Sequence, residues 1–370
     1  MNPALATAAG ATVVAAMKVG LVLGAGGVQG GAWLTGALDA LARETGWDPA
    51  SADYVVGTSA GSMLAALLGA GVPPWFMVAH SAGETFTGAV DAAGRPAAEA
   101  SRAGGAEYRL ARLWPPPIGP GSWRLVARTL SRPDRHTPAA ALTGWLPRGV
   151  LSTEPLREQV RRVTPSGWSE HANLWIVACD YATGRRVAFG RAGSPPADLA
   201  DAVAASCAIP GFYAPVEVDG RAYVDGGVYS PSNLDVLRDE ELDLVVCLNP
   251  TSTLHPLRAL SPREWPALIL HRQSGRRLGG EAKKLRSRGV DVVLVQPVGD
   301  DLQTMGVNLM STRNRNRVIE IARRTVAEQL REPGNRELLA RLPRGRPEKV
   351  TRPSGPPSAW PPLAELRRSA

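Results

Sequence analysis

The sequence predicts an α/β protein: a three-layer sandwich in which helices flank a mainly parallel central sheet. Two observations support this fold class. Several short runs are apolar on both faces, as strands of a covered parallel sheet are; they lie at residues 18–23, 174–179, 242–248 and 290–296. Helical spacing of apolar residues follows the first two strand candidates, at 32–43 and 60–68, and strands that alternate with helices are typical of such sheets.

Local patterns give the remaining elements in chain order. The run at 18–23 ends in a glycine cluster, and a second short strand at 53–56 breaks at Gly57 before a helix starts; both breaks predict turns. Asp219 and Gly220 separate two short apolar runs, which is a strong signal for a β-hairpin. The further predicted elements are strands at 186–189, 216–218 and 222–224 and helices at 198–206 and 302–330.

The 370 residues allow one large domain or two ordinary ones. We predict a catalytic domain at 17–330, preceded by an uncharged, Ala-rich disordered extension at 1–16 and followed by a flexible Pro/Arg-rich tail at 331–370. Regular patterns weaken at about 83–150, where three tryptophans lie among Pro and Gly: Trp114, Trp123 and Trp145. This insertion is either a lid over a site, with Trp at a lipid–water boundary, or a packed segment with Trp in the core.

Charge and cysteine content restrict the partners. Lys+Arg 42 against Asp+Glu 34 gives a net charge of +8, which suits an anionic membrane surface or an acidic ligand. The basic residues are scattered, which argues against nucleic acid. Cys179, Cys207 and Cys247 form no CxxC pair, so we expect neither a disulfide framework nor a metal site. The first 16 residues predict neither a signal peptide nor a membrane span. We therefore expect a cytoplasmic protein, with peripheral membrane contact at most and no cofactor.

The strongest chemical signal is Gly57-Thr58-Ser59-Ala60-Gly61, a G-x-S-x-G sequence between a strand and a helix. This context is typical of a nucleophile elbow, which exposes the serine side chain on a tight turn. The flanking glycines remove Cβ atoms that would clash across the turn. We interpret Ser59 as the nucleophile, the alternative being an ordinary helix-capping serine.

A glycine-rich loop at 24–31 also lies between a strand and a helix, and it has two interpretations. A dinucleotide-binding loop would need G-x-G-x-x-G, but the third glycine is replaced by Gln29. An oxyanion hole needs only backbone N–H groups that converge on one point. We expect Gly26 and Gly27, with Val28, to supply such donors.

Asp225 ends a predicted strand and precedes Gly226 and Gly227. Alone, this pattern is weak and more typical of an ordinary Asx turn, but strand ends are where open α/β sheets form their sites. A Ser-Asp-His triad would need a histidine after Asp225 in the chain, and only His255 and His271 qualify. Neither has a distinctive sequence context.

These blocks together resemble the patatin-like phospholipase family, in order over about residues 17–320. They are the glycine loop with Gly24 and Gly30, the serine motif with Gly57 and Gly61, the strand and turn at 177–184, the block at 205–215, and Asp225 with Gly226 and Gly227. The resemblance implies hydrolysis of lipid acyl esters by a Ser-Asp dyad, without a catalytic histidine. Ser59 would be the nucleophile and Asp225 the base, provided that burial raises its pKa.

Two residues depart from the family pattern. Ala25 stands where a glycine is usual, and Gln29 where a basic residue is usual. Ala25 is tolerated unless its φ must be positive, whereas Gln29 removes a charge that could hold an oxyanion or a phosphate. A catalytically silent binder with the same fold therefore remains an alternative, as do a Ser-Asp-His esterase and a nucleotide-binding protein.

Overall fold

The computed structural model describes residues 17–84, 108–111, 118–135, 137–253 and 265–355, with only the backbone described at 135 and 265–271. The strands in these ranges are β1 (Val19–Leu23), β2 (Tyr54–Thr58), β3 (Leu174–Asp180), β4 (Arg186–Phe189), β5 (Val216–Val218), β6 (Arg221–Asp225), β7 (Leu244–Leu248) and β8 (Asp291–Val295). The helices are α1 (Gly27–Thr45), α2 (Ala60–Gly69), α3 (Pro74–Ser81), α4 (Trp123–Ser131), α5 (Pro138–Trp145), α6 (Glu154–Arg161), α7 (Leu199–Ser206), α8 (Trp265–Arg286), α9 (Gly299–Met305), α10 (Arg315–Arg331), α11 (Pro333–Leu339) and α12 (Pro347–Val350).

One sheet contains these strands in the order β5-β6-β3-β2-β1-β7-β8, with β4 also paired to β3. The five strands from β3 to β8 in this order are parallel to one another. The β5–β6 hairpin and β4 run antiparallel at the β3 side. The chain proceeds outward from β1 on one side and returns through β7 on the other. Such a reversal of strand order is where α/β sheets open a crevice at their carboxyl ends.

Helices cover both faces of the sheet, so the predicted three-layer α/β sandwich is confirmed. Along β1, Leu21 and Leu23 face a core formed with α1, α2, α7 and α10. Val22 faces the opposite core, which α8 and the short turn Leu234–Leu237 complete. Every residue of β1 is buried, as the run without alternation predicts for a covered strand.

The long helix predicted at 302–330 is wrong, because the chain forms two helices there. Gly306 ends α9 with a φ of 67°, and Asn314 precedes α10 with a φ of 61°. Left-handed conformations at both ends prevent a continuous helix. The second helix packs along α1 so closely that a Cβ on Gly36 would lie 2.4 Å from the carbonyl oxygen of Ile319.

The described part of the predicted flexible tail is folded, which corrects the prediction from residue 333 to residue 355. Leu339 and Val350 are buried, and Lys349 Nζ donates a hydrogen bond of 2.9 Å to the carbonyl of Gly71. Apolar residues between the prolines and arginines give this segment enough to bury. Residues 356–370 and the predicted extension at 1–16 lie outside the described residues.

The described part of the insertion contains α4 and α5, which pack on each other and on the sheet. Leu125 and Ala140 are buried against Val224 and Val228. Trp123 and Trp145, by contrast, are 64% and 49% exposed, so they do not occupy the core that the packed interpretation required. Trp114 lies outside the described residues. No helix in the described ranges is long and apolar enough to cross a bilayer.

Candidate active site

Ser59 lies in the turn between β2 and α2 with φ 53° and ψ −121°. The φ of an L-residue is rarely positive, and strained turns of this kind cluster at functional sites. Both motif glycines are required by close packing: a Cβ on Gly61 would lie 2.1 Å from the carbonyl oxygen of Leu23, and one on Gly57 would lie 2.5 Å from Cα of Ser62. The sequence therefore forms a tight turn that holds the Ser59 hydroxyl at the carboxyl end of β2.

Asp225 ends β6, and its carboxyl lies close enough to the Ser59 side chain for that side chain to lower the pKa of Asp225. The carboxylate also accepts a hydrogen bond of 2.7 Å from the N–H of Gly227. Burial raises the pKa of Asp225 to about 6, although the Ser59 side chain and the N–H of Gly227 oppose the increase. Desolvation disfavours the charged form of a carboxyl. The result is a carboxyl whose pKa is closer to neutrality than that of an ordinary aspartate.

The glycine-rich loop lies against both of these groups. Ala60 Cβ is 3.7 Å from the position that a Cβ on Gly31 would occupy, and Ala25 Cβ is 3.5 Å from the corresponding position on Gly227. The loop thus contacts the serine turn on one side and the aspartate turn on the other.

The backbone hydrogen bonds that the loop donates leave three successive N–H groups available. The amides of residues 24, 25, 29 and 30 all donate to backbone carbonyls. Those of Gly26, Gly27 and Val28 have no acceptor in the part of the chain that the structure describes, as expected at a helix N-terminus. Gly27 has a φ of 60°, which lets the first turn of α1 begin directly after the loop.

The two departures from the family pattern have structural explanations. Ala25 is not among the residues with positive φ, so its Cβ causes no backbone strain. The Gln29 side chain points away from the loop and donates hydrogen bonds to the carbonyls of Ser311 (2.8 Å) and Arg313 (2.6 Å). It therefore anchors α1 to the segment that precedes α10.

Two residues at the end of α7 hold the serine turn, and the sequence analysis gave them no role. Ser206 Oγ accepts a hydrogen bond of 2.9 Å from the N–H of Ser59 and donates one of 2.6 Å to the carbonyl of Val177. Cys207 Sγ donates to the carbonyl of Ser59 at 3.2 Å. Both residues belong to the block at 205–215 that carries the family resemblance, which is the signal that could have indicated them.

Asn233 is a third residue that the sequence analysis missed. Its Nδ2 donates to Thr58 Oγ1 at 3.1 Å and to the carbonyl of Gly226 at 3.3 Å. This buried amide connects the end of β2 to the turn after Asp225. No local motif marks it, since Thr58 lies 175 residues away in the sequence.

Neither histidine whose side chain the structure describes lies at the dyad. His171 Nε2 is 2.8 Å from the carbonyl of Ala52, which precedes β2 and so lies at the opposite end of that strand from Ser59. His80 stacks on Phe76, and burial lowers its pKa. His255 and the side chain of His271 lie outside the described residues. Within those residues, no cluster of three His, Cys, Asp or Glu has the arrangement of a metal site.

Comparison with known proteins assigns the chain to a family. Residues 21–238, more than half of the chain, match the family model described as "Patatin-like phospholipase". The chain therefore belongs to the patatin-like phospholipase family, and the resemblance seen in the sequence is confirmed.

Curated relatives are more distant. An uncharacterized NTE family protein of Mycobacterium bovis and one from each of two strains of Mycobacterium tuberculosis are 33% identical to this chain over 123 residues. The matched segment covers 32% of this chain and 33% of each relative. The chain thus matches about a third of the length of these relatives.

Proposed function

We propose that the protein is a serine lipid acyl hydrolase that cleaves carboxylic esters of phospholipids or related lipids through a Ser59–Asp225 dyad. The observation that carries this proposal is the proximity of the Ser59 side chain to the buried carboxyl of Asp225, whose pKa burial raises and the Ser59 side chain lowers. Membership of the patatin-like phospholipase family supports a lipid as the substrate class. The unpartnered amides at 26–28 supply the third element that ester hydrolysis requires.

Acylation begins when Ser59 Oγ attacks the ester carbonyl carbon and Asp225 accepts the hydroxyl proton. The carbonyl oxygen becomes an oxyanion and accepts hydrogen bonds from the N–H groups of Gly26 and Gly27, with Val28 as a further donor. Collapse of this intermediate breaks the bond to the leaving alcohol, which takes the proton from Asp225. The acyl group remains on Ser59 as an ester.

Deacylation uses the same groups with water as the nucleophile. Asp225 accepts a proton from the water, whose oxygen attacks the acyl carbon, and the loop again holds the oxyanion. Ser59 then leaves with the proton that Asp225 returns, and the fatty acid is released. A carboxyl with a pKa of about 6 suits both steps, because an effective base has a pKa close to the working pH.

Substitution of each dyad residue tests this proposal. We expect Ser59→Ala and Asp225→Asn to lower kcat/KM on p-nitrophenyl esters by at least about a thousandfold, since removal of a nucleophile or its base is that costly in comparable enzymes. A chain-length series of the same esters would measure the length of the acyl pocket.

Histidine variants provide the control, because a conventional triad would need one of them. We expect His255→Ala, His271→Ala and His171→Ala to retain turnover. A loss comparable to that of Asp225→Asn in a histidine variant would instead support a Ser-Asp-His esterase. If a fluorophosphonate probe failed to label Ser59 in the wild-type protein, the proposal would be rejected in favour of a silent binder.

A further inference from the structure

Exposed apolar side chains are concentrated in the insertion. Nine large apolar side chains of the described residues are exposed, and eight of them lie between residues 108 and 150; the exception is Val307. A contiguous exposed apolar patch on a protein surface commonly marks an interaction site. Single exposed apolar side chains scattered over a surface are normal, but eight of them in one segment require an explanation.

The patch centres on α4 and α5. On α4, Trp123, Ala127 and Leu130 are exposed at the spacing of one helical face. On α5, Leu142 and Trp145 are exposed, and the Trp145 ring contacts that of Trp123 with a centroid distance of 6.3 Å. We call these five residues the α4–α5 surface. It is continuous across the helix pair because the two indoles touch.

Positive charge borders this apolar surface. Arg124 and Arg128 are exposed on α4, each one residue beyond a member of the apolar stripe. The whole segment from 108 to 150 contains seven arginines, a single aspartate and no glutamate or lysine, a net charge of +6 against +8 for the entire chain. Tryptophan with a flanking arginine is the composition that binds at the headgroup level of an anionic bilayer.

The inner face of the helix pair packs against residues that neighbour Asp225 in the sequence. Leu125 and Ala140 pack against Val224 and Val228, which flank Asp225 on either side in the sequence. Thr137 Oγ1 also donates a hydrogen bond of 3.0 Å to the carbonyl of Val228. The exposed surface therefore lies on the outside of a helix pair whose inside packs beside the end of β6, the strand that carries Asp225.

We propose that the α4–α5 surface docks the protein onto an anionic phospholipid surface, next to the site where the ester would be cleaved. The catalytic reason for docking rests on the proposed function, whereas the binding to lipid does not depend on it. A second copy of the chain is a poorer occupant, because a symmetric pair would place two arginine-rich surfaces against each other. Penetration of the tryptophans supplies apolar burial, and the arginines supply the preference for anionic lipid.

Cosedimentation with vesicles of diether phosphatidylglycerol or diether phosphatidylcholine tests the docking. Ether lipids contain no acyl ester, so binding is measured whether or not the protein hydrolyses lipids. We expect the wild-type protein to bind the anionic vesicles more tightly than the neutral ones, and to lose affinity as salt is added. Equal binding to both vesicles, or no binding to either, would overturn the proposal.

Two double variants locate the surface. Trp123→Ala with Trp145→Ala is expected to weaken binding by at least about tenfold through lost apolar burial. Arg124→Gln with Arg128→Gln is expected to weaken binding to the anionic vesicles by about fivefold per arginine. All four side chains are at the surface, so the fold should persist, and thermal melting checks this.

Matched controls come from the rest of the described surface. Val307→Ala removes the exposed apolar side chain outside the insertion, and Arg336→Gln removes an exposed arginine on α11, which packs by β8 at the far edge of the sheet. Both are expected to bind as the wild type does. If the controls lost as much binding as the double variants, the location would be wrong. A wild-type dimer that the tryptophan variant dissociates would assign the surface to a second copy.

Discussion

Asp225 shows how the environment of a single residue sets its chemistry. The carboxyl is buried, which raises its pKa from 3.8 to about 6. Between pH 3.8 and about 6, Asp225 retains its proton in the folded protein and releases it in the unfolded chain. Asp225 therefore contributes stability below pH 3.8, and this contribution is lost as the pH rises to about 6. At neutral pH the protein maintains a buried negative charge, which costs stability.

Asp225→Asn is expected to raise the thermal stability at neutral pH, because the amide is neutral and keeps the shape of the carboxyl. The gain should reach about 3 kcal/mol at most, since one pKa unit corresponds to about 1.4 kcal/mol. It should diminish as the pH falls towards 4, where Asp225 is itself protonated. Thermal melts over this pH range provide the measurement.

Asp219→Asn is the matched control, because it removes an exposed carboxyl from the same hairpin. It should show no such pH-dependent gain. An Asp225→Asn protein that is less stable than the wild type at every pH would contradict the assignment of a buried charged carboxylate.

We expect Ser206 to influence the proposed reaction through the position of Ser59, whose N–H donates to its hydroxyl. Ser206→Ala would leave the N–H of Ser59 and the carbonyl of Val177 without the hydroxyl that now pairs them. An unpaired buried polar group costs about 1–3 kcal/mol. We therefore expect a loss of stability, together with a lower kcat and little change in KM.

Thr325→Val is the control that distinguishes a positioning role of Ser206 from a purely structural one. Thr325 is a buried residue of α10 whose hydroxyl bonds the Asp301 carboxylate at 3.0 Å, so its removal should also destabilise the fold. We expect kcat to be unchanged in this variant when it is assayed below its melting temperature. An unchanged kcat in Ser206→Ala as well would show that Ser206 is only structural.

The loop between β1 and α1 requires a glycine at position 27. Gly27 has a φ of 60°, and a Cβ there would lie 2.9 Å from the carbonyl oxygen of Leu309. Gly27→Ala therefore adds backbone strain and also displaces the loop. We expect kcat/KM for ester hydrolysis to fall by at least about a hundredfold, the cost of one lost oxyanion donor.

Gly46→Ala is a control for the strain alone. Gly46 also has a positive φ, 69°, but nothing lies within 4 Å of its would-be Cβ. This variant should lose stability and keep its activity. Equal activity losses in both variants would mean that the loop has no special role.

The sequence predicts elements with a strong local pattern of apolar residues, but it does not predict where backbone conformation interrupts such a pattern. The runs at 18–23 and 242–248 closely match β1 and β7, because strands buried on both faces need continuous apolar sequence. The break at 306–314 was missed, since helical spacing of apolar residues continues on both sides of it. Its cause is backbone conformation, which a pattern of side chains does not report.

The same distinction applies to the candidate site. The sequence indicated Ser59 and Asp225 through glycines that flank them, because a tight turn imposes a local requirement. It did not indicate the role of Ser206 or Asn233, whose hydrogen bonds join segments more than a hundred residues apart. Their partners become apparent only when the strands are assembled.

At the scale of the whole molecule, the C-terminal helices complete the core on one side. Trp75 Nε1 donates a hydrogen bond of 2.9 Å to the carbonyl of Glu348, and the N–H of Gly345 donates to the carbonyl of Gly46. A chain that ends at Arg331 would lose these bonds and expose the surface that Leu339 and Val350 cover.

We expect this truncation to lower the free energy of unfolding by about 5 kcal/mol, from the lost burial of several apolar side chains. A urea titration measures the change. A chain that ends at Gly355 retains all of these contacts and is the control. If both truncated chains unfolded at the same urea concentration, the packing of α11 and α12 would contribute nothing.

The two residues of the proposed dyad follow strands that differ in how firmly the sheet holds them. Ser59 follows β2, the middle strand of the sheet order, whereas Asp225 ends a hairpin that three residue pairs join to β3. Structure at the margin of a sheet opens before its centre does. Ester turnover would then disappear in mild denaturant while Trp33 and Trp47, both enclosed in the interior, still fluoresce as in the native state. Inactivation would report the release of one hairpin, well before global unfolding.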